Sequence, residues 1–156
     1  MDGVDLAGSV TRVIRLTEFN EYFWLGGLDG ELRFYRCAIC RYWIHPPSPT
    51  CPECLSLKVR PEAVSGGGEV YTFTVNTHQW RAGEEPYIIV IVSLDEQPDL
   101  RLLSNLIGCN VEAVHIGMRV EVVFEPAEVG GRQLSVPLFR PTEARQASWS
   151  VANDPQ

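Results

Sequence analysis

Two pairs of cysteines constrain this chain more than any other feature of its sequence. They lie in Cys37-Ala38-Ile39-Cys40 and Cys51-Pro52-Glu53-Cys54, with ten residues between the pairs. Each pair can turn both of its sulfurs toward one centre, and four thiolates make the closed tetrahedral site that is typical of a structural zinc ion. The spacing therefore predicts a zinc ribbon with one structural zinc, held by Cys37, Cys40, Cys51 and Cys54.

Paired cysteines have other uses, and the sequence disfavours most of them. Disulfides need an oxidising compartment, and nothing near the N-terminus resembles a secretory signal, so we expect a cytoplasmic chain with reduced cysteines. A redox-active pair normally follows a strand and opens a helix, and it is not duplicated at ribbon spacing. A rubredoxin-type iron site uses the same four thiolates, so the spacing alone leaves zinc and iron open.

A catalytic centre is not evident elsewhere in the chain. The fifth cysteine, Cys109, has no histidine or other base near it in sequence and is expected to be a small buried residue. His45, His78 and His115 are isolated from nucleophiles and from paired carboxylates, so each is expected to be a structural or surface histidine. We therefore predict no catalytic residue in this chain.

Composition and charge also limit which kinds of protein this chain can be. The chain has 156 residues, of which 45% are hydrophobic, and no apolar run approaches the roughly 18 residues that a membrane span needs. The formal net charge is −7, and the arginines are scattered without any basic block. Proteins that bind nucleic acid normally gather basic residues on one face, so this balance argues against nucleic acid as a partner.

The N-terminal part of the sequence predicts a short helix over residues 17–28, with Thr17 as its N-cap and Gly26-Gly27 as its end. This segment carries four aromatic residues, which are more than so short a helix can bury by itself: Phe19, Tyr22, Phe23 and Trp24. Two interpretations stay open. The aromatic residues pack against the chain's own ribbon or barrel, or they form an interface with a partner protein.

Alternating hydrophobicity predicts a mainly β fold after the helix. A strand over 31–36 enters the ribbon, a short strand over 42–44 and a β-like stretch over 55–60 belong to it, and Ser65-Gly66-Gly67-Gly68 marks the boundary to a second unit. The pattern of that unit predicts a five-stranded barrel of the OB type, with a small β-sandwich as the alternative. Its strands are expected over 69–77, 87–94, 100–106, 119–124 and 133–139.

Two details of the barrel are also expected. The run over 87–94 is almost continuously apolar, which suits a strand buried on both faces, and Pro137 suits an edge strand. The predicted organisation is an N-terminal segment with the short helix, a zinc ribbon, an OB-fold and a C-terminal tail, over residues 1–30, 31–64, 65–142 and 143–156.

The order of these parts resembles the DUF35 family, in which an OB-fold follows a rubredoxin-like zinc ribbon. The resemblance extends from about residue 19 to residue 141 and rests on five ordered segments. These are Leu32 to Cys37, Pro46-Pro47 with the second cysteine pair, Ser65 to Tyr71, Glu85 to Val90 and Ile116 to Val120. Two positions depart from the family's preference for small residues after a cysteine pair. Arg41 and Leu55 stand there, so the knuckle turns must tolerate side chains at strained dihedral angles.

The resemblance implies a role in acyl-CoA metabolism. Members of this family associate with thiolase-fold enzymes, and some also associate with hydratases or synthases. They act as auxiliary subunits, and their barrel and ribbon can help to form the CoA-thioester site. We expect the same of this chain, within steroid side-chain degradation and with a thiolase-like aldolase or a thiolase as its partner. A module that binds single-stranded nucleic acid is the alternative.

Two groups of residues are candidates for binding CoA. His78, Trp80 and Arg81 lie in the loop after the first barrel strand, and loops of this kind commonly form the ligand face of an OB barrel. An aromatic ring can stack on adenine, and arginine can pair with phosphate. Arg33, Arg36 and Arg41 flank the ribbon and are candidates for the CoA phosphates, although scattered surface arginines would read the same.

Overall fold

The computed structural model describes residues 14–79, 83 and 85–142, and it confirms a mainly β fold. One short helix, α1 (Glu21–Gly26), is followed by a 3₁₀ turn (Gly27–Asp29). The strands are β1 (Leu32–Cys37), β2 (Trp43–Ile44), β3 (Val59–Val64), β4 (Gly67–Asn76), β5 (Tyr87–Leu94), β6 (Arg101–Leu106), β7 (Arg119–Val129) and β8 (Arg132–Pro141).

The helix is shorter than the sequence predicts, and Thr17 is not its N-cap. The Thr17 carbonyl accepts hydrogen bonds from the backbone amides of Asn20 and Glu21, which makes a turn before the helix begins. The Asn20 side chain accepts the Thr17 amide at 2.8 Å and thereby closes this turn. Because the turn uses residues 18–20, α1 starts only at Glu21.

The ribbon is a three-stranded antiparallel sheet in the order β2-β1-β3. β3 lies later in the chain than the predicted stretch over 55–60. The second knuckle uses those residues instead, since the Leu55 amide donates to the Cys51 carbonyl and the Cys51 amide donates to the Ser56 carbonyl. β3 then runs through Pro61, which is tolerated because β3 is an edge strand of this sheet.

The remaining strands form a closed barrel in the order β4-β5-β6-β8-β7. All neighbouring pairs are antiparallel except β6 and β8, which meet at one parallel pair between Leu106 and Phe139. The hairpin between β7 and β8 turns at Gly130-Gly131, as predicted, and both glycines have positive φ. Both strands are longer than their predicted ranges, which gives this hairpin ten paired positions.

The prediction that β5 is buried on both faces is wrong. Its burial alternates along the strand: Ile88, Val90, Val92 and Leu94 are buried, whereas the residues between them are only partly covered. The apolar residues at the intervening positions lie on the outside of the barrel. A near-continuous apolar run therefore describes a strand with one core face and one half-covered outer face.

The ribbon and the barrel share one core. Leu32 and Phe34 of β1 and Trp43 of β2 belong to the same buried cluster as Val90 and Phe139 of the barrel. The side chain of Gln97, in the loop between β5 and β6, adds two hydrogen bonds to the Trp43 backbone, one from the Trp43 amide at 2.9 Å and one to its carbonyl at 3.0 Å. The two units are therefore packed against each other.

The junction between β3 and β4 is tightly packed. Gly66 has a φ of +80°, and a Cβ atom placed on it would lie 2.3 Å from Cγ1 of Val122 on β7. The backbone amide of Val122 also donates to the Gly66 carbonyl at 2.9 Å. The glycines that the sequence marks as a boundary thus hold the end of the ribbon against the barrel.

Candidate functional site

The four knuckle cysteines converge as the spacing predicts. Their sulfur atoms all lie within 4.8 Å of one another, with 3.5 Å between the sulfurs of Cys37 and Cys54 and 3.5 Å between those of Cys40 and Cys51. In a tetrahedral site with Zn–S bonds of about 2.3 Å, the sulfurs are about 3.8 Å apart. The residues fit a closed four-thiolate centre, and the chain binds one structural zinc there.

The protonation states of the four cysteine sulfurs depend strongly on whether a metal cation is bound between them. The backbone amide of Cys40, together with that of Ile39, lowers the pKa of the Cys37 thiol to about 6. The Tyr42 amide lowers the pKa of Cys40 in the same way, but desolvation and the neighbouring sulfurs outweigh it and raise that pKa to about 12. The four sulfurs are too close to remain thiolates together unless a cation lies between them.

The two unusual knuckle residues adopt the strained conformation that the sequence predicts. Arg41 has a φ of 66° and Leu55 a φ of 58°, both in the left-handed region that normally favours glycine. Each residue closes its knuckle with one backbone hydrogen bond, from its own amide to the carbonyl of Cys37 or of Cys51.

Three of the four N-terminal aromatic residues contact the chain's own rings. Tyr22 lies against Tyr35, with ring centroids 4.6 Å apart. Phe23 lies edge-on to Trp24 and to Phe34. Phe19 is different, since 46% of its surface is exposed. The interpretation as internal packing therefore holds for part of the segment, and a partner interface stays a prediction.

A pocket of about 280 Å³ opens beside this aromatic segment. The nitrogens Nε1 of Trp24 and Nδ1 of His45 are buried without a hydrogen-bond partner among the described residues. The His45 ring packs between Phe23 and Phe34, and its burial lowers its pKa. The pocket is bounded by Asn20, Tyr22, Phe23, Trp24, His45, Pro47, Leu102, Leu103 and Pro137. Sequence reasoning missed its barrel side, because Leu102, Leu103 and Pro137 are far from the helix along the chain.

The candidate CoA-binding residues fall in separate places. Trp80 and Arg81 lie outside the described residues, and His78 is exposed in the loop after β4. Arg33 pairs with Asp29 and Glu31 at 2.8 and 2.7 Å. Arg36 and Arg41, in contrast, both contact Glu62 of β3, and Arg60 joins them there.

The remaining candidate nucleophile has an unfavourable environment. Cys109 donates a weak hydrogen bond to the Asn110 carbonyl, and burial raises the pKa of its thiol. A raised pKa keeps the thiol protonated and poorly nucleophilic at neutral pH. His115 contacts the Ala113 carbonyl through Nδ1.

No helix among the described residues has the length and apolar character that a membrane span requires.

The fold and the metal centre define a class of protein, a zinc ribbon packed on an OB barrel. Two family models match in the same order: "ChsH2, rubredoxin-like zinc ribbon domain" over residues 24–60 and "ChsH2, C-terminal OB-fold domain" over residues 61–125. A DUF35 domain-containing scaffold protein of Methanocaldococcus jannaschii is 34% identical over 99 residues, which cover 62% of this chain and 69% of that protein. The chain belongs to the DUF35 family.

Other relatives have names that mention CoA substrates or an enzyme complex. A probable enoyl-CoA hydratase alpha subunit of Thermomonospora curvata and the 3-oxo-4,17-pregnadiene-20-carboxyl-CoA hydratase alpha subunit of Mycobacterium tuberculosis are each 33% identical, over 83% and 66% of this chain. The chain spans 39% and 32% of the length of these two proteins. A solved structure titled "Ltp2-ChsH2(DUF35) aldolase" contains a chain that is similar with a TM-score of 0.72 and 32% identity, over 83% of this chain and 98% of that one.

Proposed function

We propose that this chain is a non-catalytic auxiliary subunit of an enzyme that acts on acyl-CoA thioesters. The observation that carries the proposal is the similarity to the DUF35 chain of the solved aldolase, which extends over 98% of that chain at 32% identity. The two hydratase alpha subunits support the same substrate class, because both of their names specify a CoA thioester.

The finer proposal is that the partner has a thiolase fold, as an aldolase or a thiolase of steroid side-chain degradation, and that this chain helps to form or stabilise its CoA-thioester site. The aldolase relative and the steroid-CoA hydratase relative support this choice. A hydratase is the second candidate partner, favoured by the two hydratase alpha subunits.

The proposed interface is centred on the aromatic segment and the pocket beside it. Phe19 is 46% exposed and Leu103 is 61% exposed. Leu103 lines the pocket, and so does Asn20, which follows Phe19 in the chain. Exposed apolar residues around a concave surface are typical of protein interfaces. The surface would rest on three aromatic residues that already pack within the chain, namely Tyr22, Phe23 and Trp24.

The nucleic-acid alternative has little support in the charges of the described residues. Arg119, Arg132 and Arg140 each pair with an acidic side chain, namely Asp95, Glu21 and Glu121. Paired arginines release few counterions from a phosphate backbone, so they contribute little to binding nucleic acid.

The proposal is tested by reconstitution. The chain is co-expressed with the thiolase-fold subunit from its native host, and in parallel with a hydratase subunit, and assembly is measured by co-elution and by turnover of acyl-CoA. We expect no turnover from the chain alone, because a closed zinc site has no open position for water. We expect turnover by the complex, with His78→Ala and Cys109→Ala reducing it only modestly.

Two results would overturn the proposal. One is failure to assemble with either type of subunit. The other is a fall in turnover of more than about a thousandfold in either variant with assembly intact, which is the size of effect expected for a true nucleophile or base.

A further inference from the structure

The strands β6 and β8 do not pair along their whole length. Among the described residues they pair only at Leu106 and Phe139. If this parallel ladder continued in register toward the start of β6, Ser104 would lie opposite Pro137. The amide of residue 137 would then donate to the Leu103 carbonyl, as the slanted hydrogen bonds of a parallel ladder require. Proline has no N–H group, so the ladder ends at this position.

The backbone of Leu103 is therefore left without a partner strand on its β8 side. The amide of Ile107, directly after β6, donates to the Phe139 carbonyl of β8 at 2.8 Å. Alternate residues of a strand direct their amide and carbonyl groups to the same side, so those of Leu103 also face away from β5. The Pro137 carbonyl accepts the Ser104 hydroxyl at 2.8 Å. In the part of the chain that the structure describes, no backbone hydrogen bond joins Leu103 to β8.

This free edge borders the pocket of about 280 Å³. Leu103 and Pro137 both line the pocket, and the rings of Phe23 and His45 line it from the side of the aromatic segment and the ribbon. Leu103 is 61% exposed, so this part of β6 is accessible to another molecule. Unpaired N–H and C=O groups on a strand edge are a template for a further strand, and a pocket beside the edge can take a side chain of that strand.

We propose that an extended segment of the partner enzyme adds to β6 at Leu103 and places one apolar side chain in the pocket. The backbone of the segment donates to the Leu103 carbonyl and accepts from the Leu103 amide, which supplies the donor that Pro137 lacks. Because β6 begins at Arg101, the free edge is short, and so is the added strand. The inference rests on the proposed function for the source of the segment. The edge is continuous with the proposed interface, which contains the exposed side chains of Phe19 and Leu103.

The first test is hydrogen–deuterium exchange of the backbone amides, measured by mass spectrometry with residue resolution. The chain is compared alone and in complex with the thiolase-fold or hydratase subunit with which it assembles. The Leu103 amide should exchange at least about tenfold more slowly in the complex, because a new hydrogen bond protects it. Ile116 is the control, since it is 68% exposed and does not line the pocket, and its exchange should not change. Unchanged exchange at Leu103 in an assembled complex would refute the proposal.

Two substitutions of Leu103 separate its backbone from its side chain. Leu103→Pro removes the free amide and leaves the β5 ladder intact, because that amide points away from β5. Leu103→Ala removes most of the side chain but keeps the amide. Leu103→Pro should assemble about tenfold more weakly than Leu103→Ala, because it also loses a hydrogen bond. Zinc content and thermal unfolding show whether both variants are folded, and equal affinities in folded variants would refute the proposal.

A third variant closes the edge from the β8 side, and it decides the question even if Leu103→Pro does not fold. Pro137→Val supplies the missing amide with a side chain of similar size, so β8 itself can pair with Leu103. Assembly should then weaken about tenfold. Pro126→Val is the matched control, because Pro126 is an exposed proline of β7 that does not line the pocket. Wild-type affinity in Pro137→Val, or an equal loss in Pro126→Val, would contradict strand addition.

Failure of this inference and failure of the proposed function give different results. If the chain assembles with an acyl-CoA enzyme but the Leu103 amide is not protected, strand addition is wrong and the function stands. If pantetheine alone protects that amide as well as the partner does, a small amide ligand occupies the edge, and strand addition is again wrong. If the subunit that protects Leu103 turns over no acyl-CoA in the complex, strand addition stands and the function fails.

Discussion

Single residues determine whether the ribbon can hold its metal. Four sulfurs within 4.8 Å of one another stabilise a divalent cation, and without it they must share protons. The opposite pKa shifts of Cys37 and Cys40 express this conflict, since the first falls to about 6 and the second rises to about 12. The ribbon has few buried residues of its own around Cys37, Ile44 and Cys51, so its folding should depend on the metal.

Substitution of Cys51 by serine should therefore remove most of the zinc and destabilise the ribbon, while the barrel strands stay partly formed. Metal binding contributes roughly 10 kcal/mol or more to folding in small zinc domains, so the loss should be large. Elemental analysis and thermal unfolding measure the two effects. Cys109→Ser is the control, because Cys109 is not part of the centre, and it should retain full zinc content. Folded, fully reduced wild-type protein without zinc would contradict the prediction.

His45 makes the stability of the chain depend on pH. Burial lowers its pKa below 6.5, so the unfolded chain binds a proton more readily than the folded chain does. The free energy of unfolding is then highest above about pH 6.5, and it decreases as the pH falls below that value. Urea unfolding from about pH 7.5 down to pH 5.5 should show this loss, and His45→Phe should lessen it. Zinc content is measured at each pH to separate metal release, and equal slopes for both proteins would contradict the prediction.

At the scale of elements, the junction between ribbon and barrel is held by close packing. Gly66→Ala should destabilise the chain by about 2–5 kcal/mol, because the cost of its positive φ adds to the cost of the contact between its Cβ and Val122. Gly30 is a matched control, since its φ is +76° but no atom lies within 4 Å of the added Cβ. Gly30→Ala should therefore show only the backbone cost, about 1–2 kcal/mol. Denaturant unfolding of both variants measures the difference, and equal losses would mean that the Val122 contact is unimportant.

The sequence predicted elements well where one local pattern dominated. Alternation gave the barrel strands, and the cysteine spacing gave the metal centre, because both are short-range signals. The strand predicted over 55–60 lies earlier in the chain than β3, because the knuckle hydrogen bonds of Cys51 and Leu55 use the residues that look β-like. The arginine contacts with Glu62 were only half foreseen for the same reason. Arg60 and Glu62 meet Arg36 through the β1–β3 register, which no local pattern reveals.

At the scale of the whole molecule, the proposed interface predicts that assembly can be separated from folding. Phe19→Ser should weaken assembly with the partner about tenfold or more, because burial of one large side chain contributes about 1.5–3 kcal/mol. The chain's own unfolding should hardly change, since Phe19 is exposed. Trp24 is less suitable, because it packs against the buried cluster of Leu134, Val136 and Leu138. Assembly is measured by titration of the purified subunits.

Ile116→Ser is the control for this experiment. Ile116 is also an exposed aliphatic residue, but it lies in the loop that precedes β7 and does not line the pocket. It should assemble as the wild type does. Wild-type affinity in Phe19→Ser, or an equal loss in Ile116→Ser, would remove the aromatic segment from the interface.

The Gly66 junction has a mechanical consequence for any larger assembly. Gly66 packs against Val122, and Gln97 makes two hydrogen bonds to the Trp43 backbone, so these contacts oppose rotation of the ribbon relative to the barrel. One partner subunit bound to the ribbon and another bound to the barrel would therefore be kept at a defined angle and distance from each other. Such stiffness lowers the entropy lost when a second body docks, since the orientation is already chosen. A longer, looser junction would keep every contact surface intact and still spoil the alignment.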